Sequence, residues 1–263
     1  MRLLIHDTLA TSVFVEPIRR GWVPAGIDIT PRETLGAEEV AADDFALVAS
    51  PECTLLVETH HIVTEIAVVA RESAAIAMRT PIRPDEIAAA KVCVYESSGT
   101  AEVLARALMW PFFGISTTGW ASEPSLDATV TIVEGALALQ DPELGHSTGL
   151  GRAWFVMTGM PVVSHVFVAP ANCQPEVLAR GVELMRLCQE VAQERRRELR
   201  KLLEEEHGIE RERLVAYLAQ QRYQLEEADR EALVALIVKG AGGSRYLLLT
   251  RLPFWTNQIE GGR

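Results

Sequence analysis

Short apolar runs typical of β-strands alternate with helical patterns along the first two thirds of the chain. Strands are predicted over residues 3–5, 45–49, 61–70, 74–79, 91–96, 129–133 and 161–169. Helices are predicted over residues 11–20 and 101–110, and the pattern is helical from Pro175 almost to the end, with breaks at Gly208 and near Gln224. Strands that alternate with helices indicate an α/β protein with mostly parallel sheets and flanking helices, followed by a helical C-terminal region.

A proline-rich segment, Pro81-Ile82-Arg83-Pro84, interrupts this pattern. Because prolines favour an extended backbone, we expect the chain to pass here from one lobe to another. The apolar, β-branched stretch 161–169 is the predicted strand by which the chain returns to the first lobe. The sequence therefore predicts a first lobe made of residues 1–83 and 168–263, with the C-terminal helices packed on it, and a second lobe made of residues 84–167.

Composition narrows the class of protein. The 263 residues are 48% apolar and 23% charged, which is enough apolar material for one or two packed cores. The formal net charge of −11 argues against binding to nucleic acid or to an anionic membrane surface. No apolar run approaches the ~18 residues of a membrane span, and His6 and Asp7 interrupt the first apolar run before it reaches signal-peptide length. We therefore expect a cytoplasmic protein.

The cysteines and histidines do not form a metal-binding pattern. The four cysteines, Cys53, Cys93, Cys173 and Cys188, are scattered and lack a C-x-x-C pair, so we expect reduced thiols. His60 and His61 are adjacent, and neighbouring residues of a strand point to opposite faces, so this pair is not expected to chelate a metal. We predict no metal and no cofactor.

Short hydroxyl residues occur where predicted strands lead into helices. In an open α/β sheet, ligands collect beyond the carboxyl ends of the strands, where helix N-termini offer N–H groups to anions. Gly99 would let the backbone approach such a ligand. Each of these residues could instead be a plain helix cap. The candidate ligand-binding residues are Thr8, Thr11, Ser50, Ser97, Ser98, Gly99 and Thr100.

Two further residues are candidates for contact with a ligand. Glu134 follows an apolar strand and precedes Gly135, so its carboxylate could point into the cleft and act as a general base if the closing lobe desolvates it. The alternative is an ordinary surface glutamate. His165 lies within the predicted strand of return, where it is either a hydrogen-bonded core histidine or a ligand contact near the hinge.

Four sequence segments resemble the menaquinone-biosynthesis proteins of the futalosine pathway, and among them chorismate dehydratase. They are FALVAS at 45–50, KVCVYESSGT at 91–100, ATVTIVEGAL at 128–137 and WFVMTGMPVV at 154–163. The resemblance implies the two-lobed fold of type II periplasmic binding proteins. It also implies a cytoplasmic, cofactor-free lyase that removes water from chorismate to leave an enolpyruvyl benzoate.

Some positions depart from the family pattern. The residues after the first strand, His6 to Thr11, lack the asparagine of the family's Ser-Tyr-x-Asn motif, and Val133-Glu134 stands where the family has Gly-Asp. Three functions therefore remain open. The chain is a dehydratase-like lyase, a non-catalytic protein that binds a small organic acid, or the sister enzyme that cleaves a cyclic futalosine derivative, for which His146 or His165 would act. The sequence leaves both a monomer and a homodimer open.

Overall fold

The computed structural model describes residues 2–24, 28–95, 97–123 and 128–255. The strands are β1 (Arg2–His6), β2 (Asp28–Arg32), β3 (Phe45–Ala49), β4 (His60–Ala70), β5 (Ile76–Thr80), β6 (Ala89–Val94), β7 (Ser116–Ala121), β8 (Ala128–Glu134), β9 (His146–Gly149), β10 (Val162–Pro170) and β11 (Gln221–Arg222). The helices are α1 (Ser12–Arg19), α2 (Gly99–Met109), α3 (Ala136–Leu139), α4 (Leu150–Thr158), α5 (Pro175–Glu194), α6 (Arg196–His207), α7 (Arg211–Ala219) and α8 (Glu227–Gly240).

The strands form two separate sheets, as the two-lobed α/β prediction requires. The larger sheet has the order β11-β4-β10-β3-β1-β2, and the smaller sheet has the order β7-β6-β8-β5-β9. One half of each sheet is parallel, with β1 between β2 and β3, and β6 between β7 and β8. The other half is antiparallel, because β10 pairs with β3 and β4, β11 pairs with β4, and β5 pairs with β8 and β9.

The α/β fold class is confirmed, and each of the two sheets contains both parallel and antiparallel pairs. A helical crossover returns the chain to the same end of a sheet and gives parallel neighbours. In contrast, β5 and β10 are each the first strand after a passage between the sheets, and they run against their neighbours.

The chain changes sheet twice. It leaves the larger sheet between Ala70 and Ile76 and returns to it between Thr158 and Val162. Both passages lie upstream of the boundaries predicted at residues 83 and 167. The prolines that suggested the first boundary follow β5, and Pro84 begins a single turn of 3-10 helix, Pro84–Glu86. The first lobe is thus the larger sheet with its helices, and the second lobe is the smaller sheet with its helices.

The buried side chains form two clusters on opposite faces of the larger sheet. Phe45 and Leu47 of β3 point into the cluster that contains α1, α5, α6 and α7. Ala46 and Val48 of the same strand point into the other cluster, which also contains the second sheet, α2, α4 and α8. This alternation follows from the two-residue period of a strand. The fully buried β3 was predicted correctly because both of its faces are apolar.

The C-terminal region contacts both lobes. Helix α8 packs on α2 of the second lobe so closely that a methyl group at Gly240 would lie 2.0 Å from the Val103 carbonyl oxygen. The chain then returns to the first lobe, where Ile62 donates a backbone hydrogen bond to Pro253 (2.7 Å) and Trp255 donates one to Ile62 (2.8 Å). The C-terminal helices therefore do not pack on the first lobe alone.

All four cysteines are free thiols, and three of them are buried. Among the described helices, none has the length and apolar character needed to cross a membrane. Strands β2, β7, β9 and β11 were not predicted from sequence, because they carry neither an apolar run nor apolar alternation.

Candidate functional site

A cavity of about 910 Å³ lies between the two lobes. Because β1, β2 and β3 run parallel, and β6, β7 and β8 do the same, the loops that follow these strands meet at one edge of each sheet. These loops line the cavity, together with His207, Arg245 and Tyr246. A second cavity, of about 850 Å³, is lined mainly by residues of α5, α6 and α7 and contains none of the predicted site residues.

The turn at the start of α2 contributes Ser97, Ser98 and Gly99 to the cavity wall. Ser98 donates its backbone N–H to Glu134 Oε2 (2.6 Å) and its hydroxyl to Glu134 Oε1 (3.0 Å). The Ser97 hydroxyl donates to the Tyr95 carbonyl (2.8 Å). The donors of Ser98 that we expected to hold a ligand therefore hold a carboxylate of the protein.

Glu134 is the last residue of β8 and also lines the cavity. Burial raises the pKa of its carboxyl group, and the two hydrogen bonds from Ser98 act in the opposite direction. A carboxyl group with a raised pKa can hold a proton closer to neutral pH and give it to a departing oxygen. Glu134 is therefore a candidate acid–base residue.

Thr100 is fully buried beneath the same turn and does not line the cavity. Its hydroxyl donates to the carbonyl of Ser164 on β10 (2.7 Å) and accepts the backbone N–H of Ser50 (3.2 Å). These contacts connect α2 of the second lobe to two segments of the first. The position of Thr100 indicates a contact between lobes rather than a contact with a ligand.

Of the other hydroxyl residues predicted to bind a ligand, one lines the cavity and two are buried behind it. Thr8 lines the cavity, whereas Thr11 is fully buried and donates its hydroxyl to the His6 carbonyl (2.5 Å). Ser50 is also fully buried, and among the described residues its hydroxyl has no hydrogen-bond partner. It does not cap a helix, because the 3-10 helix Ser50–Leu55 begins at Ser50 itself and Ala49 is the residue before it.

His165 lies behind the cavity wall rather than in it. The side chain is fully buried, with its Nε2 3.1 Å from Nδ1 of His6 and its Nδ1 3.2 Å from the Ser164 hydroxyl. His6, which the sequence did not single out, is the imidazole that lines the cavity. Burial lowers the pKa of His6 to about 4 and places the pKa of His165 well below its usual range. His146 is exposed on β9 and is not part of the cavity wall.

A cluster around Glu52 was also missed by sequence reasoning. The buried Glu52 accepts the Tyr246 hydroxyl (2.8 Å), the backbone N–H of Ala37 (2.9 Å) and an ion pair from Arg245. Arg245 also pairs with the exposed Glu38 (3.3 Å). A methyl group at Gly99 would lie 2.0 Å from the Tyr246 hydroxyl, so glycine at this position permits the approach of Tyr246 instead of a ligand. Glu52 is almost 200 positions from Arg245 and Tyr246, so no local pattern joins them.

The cavity wall carries more negative than positive groups. Arg245 is the only arginine or lysine among the described residues that line it. The acidic residues of the wall are Asp7, Glu33, Glu38, Glu39, Glu52, Glu102 and Glu134. Nevertheless, within the described part of the chain no group of three or more His, Cys, Asp or Glu side chains is arranged to hold a metal ion.

The two lobes, with a cleft at the ends of their strands, define the class of protein. This protein has the periplasmic-binding-protein fold. The aliphatic sulphonate binding protein SsuA of Escherichia coli superposes with a TM-score of 0.63 at 12% identity, over 100% of this chain and 94% of that one. The Candida albicans CA3427 gene product, described as having the generic periplasmic binding protein fold, gives a TM-score of 0.53 at 11% identity, over 92% and 88%. At such identities the likeness establishes the fold alone.

The family follows from the sequence. The family model for menaquinone biosynthesis matches residues 37–241, so this chain belongs to that family. Protein AF1704 of Archaeoglobus fulgidus is similar in structure, with a TM-score of 0.68 at 13% identity, over 92% of this chain and 96% of that one. None of the curated proteins matches the chain by sequence.

Proposed function

We propose that this protein is a cytoplasmic, chorismate-dehydratase-like lyase that binds a small organic acid in the cleft and removes water from it. Membership of the menaquinone biosynthesis family supports the proposal at the level of pathway. The observation that carries it is Glu134, a carboxyl group of raised pKa that lines the cleft beside the hydroxyls of Ser97 and Ser98. A protonated carboxyl group in this position can protonate a hydroxyl group of the ligand so that it leaves as water.

Arg245 is the side chain best suited to bind a ligand carboxylate. It pairs with Glu52, which is buried, and with Glu38, which is exposed. An exposed ion pair contributes little free energy, about 0–1 kcal/mol, so a ligand carboxylate can replace Glu38 at low cost. Thr8 and Gly99 line the same cavity and could add a hydroxyl and a backbone contact. In this proposal, arginine and backbone dipoles bind the acid despite the acidic wall.

The second candidate is a protein that binds a small acid without converting it. Its support is the pair of hydrogen bonds from Ser98 to Glu134, because the donors of this turn are already used. A ligand that leaves these bonds intact would be bound without access to a free Glu134 carboxyl group.

Incubation of the purified protein with chorismate, followed by detection of enolpyruvyl benzoate, separates the two candidates. The Glu134→Gln variant should lose turnover by about 100-fold or more, as expected on removal of a general acid. Glu58→Gln is the control, because Glu58 is an exposed carboxylate that does not line the cavity. Thermal shift with chorismate measures binding independently. Saturable binding without product would contradict the lyase and favour the binding protein.

A further inference from the structure

Two buried imidazoles form a continuous chain of contacts from the cleft into the first lobe. His6 lines the cavity, and its Nδ1 lies 3.1 Å from Nε2 of His165. Nδ1 of His165 lies 3.2 Å from the hydroxyl of Ser164, which is itself 3.2 Å from the carbonyl oxygen of Val68. At the cleft end, Nε2 of His6 is the ring nitrogen that this series of contacts leaves unused.

Three protons serve the three contacts of this series while both histidines are neutral. The Ser164 hydroxyl can donate to the Val68 carbonyl, Nδ1 of His165 to Ser164, and Nδ1 of His6 to Nε2 of His165. In this arrangement Nε2 of His6 carries a lone pair and no proton. The arrangement therefore suits a group that accepts a proton at the cleft, and the hydrogen bond to His165 allows the proton to be shared.

We propose that His6 is the proton-accepting residue of the cleft and that His165 and Ser164 position it and share the proton it takes. This inference rests on the proposed lyase function and adds the base that the elimination needs. The ligand C–H bond breaks and its proton passes to His6, while the electron pair forms the new C=C bond. The C–O bond breaks, and the departing hydroxyl group leaves as water with the proton of Glu134. Afterwards His6 releases its proton to solvent and Glu134 takes one up.

The charges around His6 agree with this role. The charge of Glu39 raises the pKa of His6, in opposition to burial, and Glu33 and Asp7 line the same wall. Asp7 is paired with Arg19, and His165 is the other titratable ring in contact with His6. An acidic wall stabilises an imidazolium that forms during a reaction. The negative charge of the cleft, which does not help to bind an acid, thereby has a function.

Kinetics of matched histidine variants test the proposal. His6→Gln should lower kcat by about 100-fold or more, with KM changed less than about threefold. His60→Gln is the control, because His60 is equally buried and hydrogen-bonded through both ring nitrogens but does not line the cavity. His165→Gln should lower kcat by about tenfold and shift the acid limb of the pH–rate profile, which a purely structural role would not do. A His6→Gln protein that keeps more than about a third of the wild-type kcat would overturn the inference while leaving the lyase in place.

Nitrogen NMR of the wild-type protein with ¹⁵N-labelled histidine tests whether His6 and His165 share a proton, and it needs no substitution. We expect His6 and His165 to take up one proton between them in a single coupled step below neutral pH. Two independent titrations would overturn the proposal, even if chorismate is turned over. A coupled step in a protein that produces no enolpyruvyl benzoate refutes the lyase, and with it the assignment of His6 as its base.

Discussion

Ser98 donates both its backbone N–H and its hydroxyl to the carboxylate of Glu134, at 2.6 and 3.0 Å. A helix N-terminus is a general binding place for anions, and here it binds the carboxyl group at the end of β8, which pairs with β6. A ligand carboxylate must therefore either displace Glu134 or bind beside it. If the cleft binds an acid as proposed, we therefore expect the protonation of Glu134 to be coupled to ligand binding.

Replacement of Ser98 by alanine should raise the pKa of Glu134 further. The Ser98 hydroxyl bond lowers this pKa, so its loss leaves burial less opposed. Because the protonated form is the proton donor, the pH–rate profile should extend to higher pH. Ser97→Ala is the control, since its hydroxyl donates to Tyr95 instead. An unchanged profile for Ser98→Ala would contradict the role of Glu134 as a general acid.

His6 should make the protein less stable in acid. Its pKa is about 4 in the folded protein and 6.5 without burial, so between these values the unfolded chain binds a proton that the folded chain does not. Stability therefore falls as the pH decreases through this window, by roughly 3 kcal/mol from His6. Urea unfolding of wild type and His6→Gln at pH 7 and pH 4 measures the difference. The variant should lose less stability than the wild type, and equal losses would contradict this prediction.

Thr100→Val should weaken the contact between the lobes. The change removes the donor to Ser164 O and the acceptor of the Ser50 N–H while keeping the side-chain shape. Buried groups left without a partner cost about 1–3 kcal/mol, which should appear in the free energy of unfolding. Thr118→Val, at an exposed position of β7, is expected to change that free energy by less than about 0.5 kcal/mol.

Gly240→Ala should destabilise the packing of α8 on α2. The added methyl group would lie 2.0 Å from the Val103 carbonyl oxygen, so the helices must separate, at a cost of about 1–3 kcal/mol. Gly242→Ala is the control, because no atom lies within 4 Å of a methyl group there. Thermal unfolding of both variants compares them directly, and equal midpoints would exclude the close approach.

The sequence predicted those features that depend on neighbouring residues. The buried strand β3 was identified within its correct bounds, because five consecutive apolar residues precede Ser50-Pro51. The position of Glu134 on the cavity wall was predicted because this residue ends an apolar strand and precedes a glycine. Both signals are local, so they can be read from the sequence without knowledge of the tertiary structure.

Other features depend on contacts that no local pattern records. Thr100 and Ser97 look alike in sequence, and only the packing of α2 against β10 buries one of them. His6 and His165 are 159 positions apart, and their contact arises because both β1 and β10 flank β3. The antiparallel halves of the sheets were missed for a similar reason, since strand direction depends on the route of the chain between lobes.

The cavity wall contains His6, near the start of the described chain, and Tyr246, near its end. During synthesis, which proceeds from the amino terminus, all the described strands of both sheets have been made before α8, but the wall still lacks Arg245 and Tyr246. Until that last segment leaves the ribosome, Glu52 lacks two of its three partners. A nascent chain that has already formed both lobes therefore has no finished binding site.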